Sequence, residues 1–153
     1  MSKKIALIAC SKRKLGKNTP NQSFLAQDIY QGNIFKTAKE KGLKKFACDD
    51  WFILSGKEDY NLLDKNSKIK YYDCYLGKQK IAYKKAWAEK VISKLKQKGF
   101  DLQNDVFYIF GGKAYYEYLL PKLTHCVVFK FKSSSVIDLD KSIHYENGVK
   151  QND

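Results

Sequence analysis

The chain has 153 residues, 44% hydrophobic and 14% aromatic, which fits one domain with its own core and excludes a disordered composition. Twenty-nine Lys and Arg against sixteen Asp and Glu give a net charge of +13 at pH 7, a balance that attracts polyanions at long range. No apolar stretch is long enough to span a membrane and the N-terminus lacks a signal-peptide core, so a soluble, cytoplasmic protein with no membrane partner is expected.

Ile5-Ala6-Leu7-Ile8-Ala9 is a continuous apolar run, the pattern of a strand covered on both faces. It leads directly into Cys10-Ser11-Lys12-Arg13-Lys14, at the start of a polar loop over 10–22. Ser23 can cap a helix, in which Phe24, Leu25, Ile29, Ile34, Phe35 and Ala38 keep a helical period, broken near Gly32 and ended by Gly42. Trp51-Phe52-Ile53-Leu54 reads as a second buried strand, followed by Ser55-Gly56-Lys57. Residues 56–77 form a long, tyrosine-rich connection, too long to be idle in a compact domain. A helix is predicted over 78–98, with Ile81, Trp87, Ala88, Val91, Ile92 and Leu95 on one stripe and Gly99 closing it. Residues 105–110 predict a third strand that runs into Gly111-Gly112-Lys113, and 114–120 a short helix stopped at Pro121. Residues 126–131 predict a fourth strand, nearer an edge. On this reading 1–131 is the α/β domain and 132–153 a polar C-terminal tail.

Alternating strands and helices predict a single-domain three-layer α/β sandwich around a mostly parallel four-stranded sheet. Such sheets place ligands beyond the carboxyl ends of their strands. Three strand ends carry small or hydroxylated residues beside a Lys: Cys10-Ser11-Lys12, Ser55-Gly56-Lys57 and Gly111-Gly112-Lys113. Small residues let a ligand approach the backbone, and the Lys supplies charge for a phosphate. None of the three completes a P-loop pattern. Cys10 is open to two readings, a buried thiol or a nucleophile whose proton is loosened by neighbouring cations. The stretch NSKIKYYDCYLGKQK interleaves Tyr71, Tyr72 and Tyr75 with lysines and encloses Asp73. Rings that stack on bases and lysines that meet phosphates serve a single-strand or flipped-base site, and a carboxylate there can position water or stabilise a developing cation. The alternative is a lid of packed tyrosines with Asp73 paired to a Lys. Cys10, Cys48, Cys74 and Cys126 form no CxxC pair, and His125 and His144 lack metal-ligand spacing, so neither metal nor cofactor is expected.

The segments IALIACSKRK, LAQDIYQGNIFKTAKEKG, DWFILSGKEDYNLLD and KYYDCYL occur in the order of a bacterial and phage domain family of unknown function, which the chain resembles over about residues 4–120. That family's pattern is a strand ending in Cys-x-x-x-Lys, an Ala-x-x-Leu-Tyr-like helix, a Trp-x-x-Leu-Ser-Ala-Lys-x-Gly-Leu segment and a Tyr-Asp step. The matching positions are Cys10, Ser11, Lys14, Tyr30, Ser55, Lys57, Tyr72 and Asp73. The chain departs from it at Gly56, where the family has Ala, and over Glu58 to Leu62. The family is distantly similar to the YaaA peroxide-stress proteins, and in layout to the uracil-DNA-glycosylase superfamily. The resemblance therefore implies a uracil-DNA-glycosylase-like fold with a nucleic-acid site where the residues alone place an anion site.

The combined expectation is a nucleic-acid-binding protein, on DNA rather than RNA, that acts on an N-glycosidic bond of a modified base. Asp73 and Ser11 are the candidate catalytic residues. Cys10, Lys12, Lys14, Tyr30, Ser55, Lys57, Tyr71, Tyr72, Gly112 and Lys113 are the candidate binding residues. Two alternatives stay open: a non-catalytic DNA-binding or damage-response module, and an enzyme acting on a small phosphorylated nucleotide.

Overall fold

The computed structural model describes residues 2–152. Strand β1, Lys4–Ala9, lies between β3, Asp50–Ser55, and β6, Val106–Phe110, and is parallel to both. Its register sets Leu7 beside Phe52 and Ile109. Side chains alternate across a strand, so Ile5 and Leu7 enter one core while Ala6 and Ile8 enter the other. Burial on both faces is why the run has no polar position. β7, His125–Ser133, continues the parallel set beyond β6.

The expected four-stranded, mostly parallel sandwich of uracil-DNA-glycosylase type is not what forms. The sheet has seven strands in the order β4-β3-β1-β6-β7-β8-β9. β4, Asn61–Leu63, is antiparallel to β3, and β8, Val136–Glu146, and β9, Val149–Lys150, extend the other side antiparallel. β7 is therefore not an edge strand, and most of the expected C-terminal tail belongs to the sheet. β8 has only Ile137 and Asp138 buried, and its apolar residues are interrupted by Asp138, Asp140, Lys141, Ser142 and His144, so it shows no continuous hydrophobic run. Its turn into β9 is Asn147-Gly148, both with positive φ (52° and 80°), as a tight hairpin turn requires.

One face of the central strands is covered by α4, Ile81–Gln97, through Trp87, Ala88, Val91, Ile92 and Leu95. Ile81, expected on that stripe, is 61% exposed, because the helix begins there, after a 3₁₀ turn at Leu76–Lys78. The indole of Trp87 donates to the Ser55 carbonyl at 2.6 Å, which ties the helix to the end of β3.

The other face is covered by α1, Ala26–Ile29, and α2, Asn33–Thr37, which continues through a π-helical turn at Ala38–Gly42 into α3, Leu43–Lys45. Two expectations change here. Ser23 caps no helix: β2, Ser23–Leu25, pairs with β5, Lys68–Lys70, in a separate two-stranded ribbon. Gly42 ends no helix either. Its backbone is helical, and a Cβ there would sit 2.8 Å from the Phe110 ring, so its smallness serves packing. The long connection over 56–77 is thus built of β4, β5 and the start of the 3₁₀ turn. α5, Lys113–Tyr116, is a single turn, and Pro121 lies inside a second 3₁₀ turn, Leu120–Lys122. Among the described residues no helix is long and apolar enough to cross a membrane.

Candidate functional site

β1 and β6 run parallel, so their carboxyl ends open side by side. Ala9 passes into Cys10 and Ser11, and Phe110 into Gly111 and Gly112. Between these ends lies a hollow of about 420 Å³, walled also by the start of α2, by Cys74 and Tyr75, and by Ser134 and Ser135 of the β7–β8 turn. Cys10, Ser11, Lys12, Gly112 and Lys113 all line it, so two of the three expected strand ends meet. A Cβ on Gly112 would have nothing within 4 Å, so this wall is open to a ligand.

The third strand end turns inward. Ser55 is fully buried, and its Oγ lies 2.7 Å from the Tyr72 hydroxyl, which lies 2.6 Å from the Tyr30 hydroxyl. The Lys57 amide donates to Ser55 Oγ at 3.3 Å. Burial first, then the nearby Cys10 sulfur, pushes both phenols well above the ordinary tyrosine value. Tyr30, Ser55 and Tyr72 thus form a neutral hydroxyl chain beneath the site. The Tyr72 ring lines no part of the hollow. Lys57 is held away, its Nζ 4.6 Å from the Tyr60 ring centroid and 3.6 Å from Asp59. Gly56 explains the inward turn, since a Cβ there would meet Leu76 at 2.8 Å.

The loop after β1 is held by local bonds. Ser11 Oγ donates to the Arg13 carbonyl at 2.8 Å and accepts from the Gly32 amide at 3.1 Å. Those bonds occupy the hydroxyl with shaping the loop. A Cβ on Gly32 would come within 2.6 Å of Ser11 Cβ, so this approach requires glycine. Lys14 bridges to Tyr30 in a short antiparallel pair, flanked by bonds from Leu15 N to Ile29 O and from Gln31 N to Arg13 O. Alternation along this extended piece turns Arg13 outward and Lys14 inward.

Cys10 is half-buried, with Sγ 3.4 Å from the Tyr115 hydroxyl. Burial raises the Tyr115 phenol, and the sulfur adds to the rise. The Cys74 thiol is also raised, by burial and then by Cys10, with Lys14 and Lys57 opposing. Away from the hollow, burial pushes the Cys126 thiol up to about 12 and Cys48 up to about 11, which leaves both as packing groups. His125 and His144 line a shallow hollow where β7 begins, at the opposite end of the strand from the loop 134–135. Among the described residues no three His, Cys, Asp or Glu side chains cluster as a metal site.

Two further open hollows adjoin the first. One, about 550 Å³, is bounded by Lys12, Asp73, Cys74, Tyr75, Lys78 and Gln79. The other, about 320 Å³, is bounded by Lys12, Arg13, Lys14, Lys17 and Tyr71. Lys12 is common to all three. Asp73 is therefore on an exposed rim beside Lys12 and Lys78, outside the first hollow. Sequence reasoning missed Arg13, Asn33, Cys74 and Tyr115, and it left Tyr75 out of the binding set. Tyr75 is 51% exposed and lines two of the hollows, the placement a stacking ring needs. No local pattern separates Tyr75 from Tyr72; only the fold does. Lys12, Arg13 and Lys113 line the first hollow and no carboxylate does, although Glu117 lies 3.4 Å from Lys113 Nζ.

No curated protein and no solved structure matches this chain. A model of a family of unknown function, DUF6884, matches residues 5–132, a span that runs from Ile5 in β1 to Lys132 in β7 and holds every residue of the three hollows except Ser134 and Ser135, and the chain belongs to that family.

Proposed function

We propose that this protein binds nucleic acid, DNA in the first instance, with one nucleotide unit seated in the hollow between the ends of β1 and β6. The observation that carries the reading is the lining itself. Three cations, Tyr115 and the exposed Tyr75 line a space with no carboxylate in its wall. Rings of this kind stack on a base whose neighbours have been peeled away, and the cations meet its phosphates. The net charge of +13 supports the same partner. Asp73, on the adjoining rim, is the carboxylate available for bond chemistry. In hydrolysis of an N-glycosidic bond the C1′–N bond breaks and a water oxygen bonds to C1′. Asp73 takes one water proton, and the departing base, which keeps the electron pair, is protonated from solvent.

The test is anisotropy of a labelled oligothymidylate with the wild type, Lys12→Glu, and Lys44→Glu as an exposed control on α3. Affinity falls at least about tenfold for Lys12→Glu and little for the control, the scale of a lost charge-assisted phosphate contact plus repulsion. Equal losses would reduce the binding to a diffuse effect of net charge. Release of free base from modified-base oligonucleotides that disappears in Asp73→Asn, with binding kept, assigns the chemistry; loss of binding makes Asp73 structural. A second reading, a free mononucleotide as substrate, is favoured by the size of the hollow, about 420 Å³, within the range of small-ligand sites. On that reading a mononucleotide competes as well as an oligomer.

A further inference from the structure

Lys14 is unusual among the 29 basic residues because it is buried, with 7% exposure. Its Nζ donates to the Lys12 carbonyl at 3.2 Å and lies 4.5 Å from the Tyr72 ring centroid. An ammonium has three N–H donors, so two have no protein acceptor. Among the described residues no carboxylate lies within ion-pairing distance of Lys14, nor of Lys12, Arg13 or Lys17. Burial accordingly loosens the Lys14 proton, with Cys10, Asp73 and Cys74 opposing. The same residue lines a hollow together with Lys12, Arg13, Lys17 and Tyr71. Burying a cation without an anion is unfavourable. Four cations lining one space whose wall holds no carboxylate describe a receptor whose anion is supplied from outside.

We infer that this hollow is a phosphate subsite, distinct from the nucleotide hollow, and that it takes the adjoining phosphodiester of a single strand. The inference rests on the nucleic-acid reading above and narrows it. Lys12 and Arg13 line both spaces, so the two subsites are joined. One nucleotide lies in the first hollow, its strand crosses Lys12, and the next phosphate sits over Lys14 and Lys17, with Tyr71 beside it. The smallest complete ligand is then a dinucleotide, and a paired duplex, whose bases are stacked inside, does not present it.

The experiment is competition against labelled oligothymidylate by inorganic phosphate, thymidine 5′-monophosphate, the 5′-phosphorylated dinucleotide pTpT and a duplex. With the wild type, pTpT competes about tenfold better than the monophosphate, the step expected of one added charge-assisted contact. Lys17→Ala, at an exposed position, and Lys14→Met, which fills similar space without charge, shrink that step toward unity. Equal competition by monophosphate and pTpT, or an undiminished step in both variants, overturns the subsite while leaving nucleic-acid binding standing. Inorganic phosphate or duplex competing as well as pTpT overturns the strand assignment. Failure of every nucleic acid to bind overturns the functional reading itself.

Discussion

Tyr72→Phe removes one oxygen from the middle of the buried hydroxyl chain. In the wild type that oxygen lies 2.6 Å from the Tyr30 hydroxyl and 2.7 Å from Ser55 Oγ. After the change Tyr30, 1% exposed, has no partner for its hydroxyl, while Ser55 keeps the Lys57 amide at 3.3 Å. One fully orphaned polar group and one partly orphaned group together cost about 2–3 kcal/mol. A urea slope of about 2 kcal/mol/M converts this into a midpoint lowered by about 1–1.5 M. Urea denaturation followed by circular dichroism reads the shift. Adding Tyr30→Phe to Tyr72→Phe should cost less than Tyr30→Phe alone, because the orphan is removed with it. Oligonucleotide binding is expected to persist in the folded variant, since the ring lies below the hollow. A midpoint within about 0.3 M of the wild type refutes the hydrogen-bond reasoning. Wild-type stability with lost binding would place Tyr72 in the site.

Alkaline pH tests the same chain by linkage. Tyr30 and Tyr72 have raised folded values, so their contribution is whole below about pH 10 and is lost as pH rises above it, at up to about 2.7 kcal/mol per pH unit for the pair. Lys14, with a lowered folded value, acts oppositely between that value and 10.5, at up to about 1.4 kcal/mol per unit. Urea midpoints across pH 8–11.5 should therefore fall above pH 10, and less steeply in Tyr72→Phe; a flat profile contradicts the burial argument. Gly32→Ala drives a Cβ to within 2.6 Å of Ser11 Cβ and should displace the basic loop, weakening oligonucleotide binding, whereas Gly112→Ala meets open space and should leave the melting temperature unchanged. Asp105→Ala strips acceptors from the Lys3 and Asp101 amides, both at 2.8 Å, and should cost about 2–3 kcal/mol in thermal unfolding without altering binding.

The strands that could be read from sequence were those buried on both faces. β1, β3 and β6 have no solvent side, so their apolar runs are continuous, and α4 shows its stripe from Trp87 to Leu95 for the complementary reason. β8 was hidden because polar residues interrupt its apolar ones, although Asn147-Gly148 carried a hairpin signal. Phe24 and Leu25 fit a helical period and a strand equally well, and pairing with Ile69 and Lys68 decides for the strand. At the site, the strand-end rule brought Cys10, Ser11, Lys12, Gly112 and Lys113 to one hollow. It failed for Ser55 because which way a strand-end residue points depends on what packs behind it, here Leu76 against Gly56. The tyrosine stretch was legible as a group only; Tyr72 enters the core and Tyr75 leaves it.

The salt dependence of single-strand binding probes the cationic hollows most directly. The nucleotide hollow and the phosphate hollow that meet at Lys12 imply about two phosphate contacts, hence a slope of log K against log salt of about −1.4 for the wild type, at about −0.7 per phosphate. Lys12→Ala should make that slope shallower by about 0.7. A slope near zero, or one that Lys12→Ala leaves unchanged, would contradict nucleic-acid binding at this site.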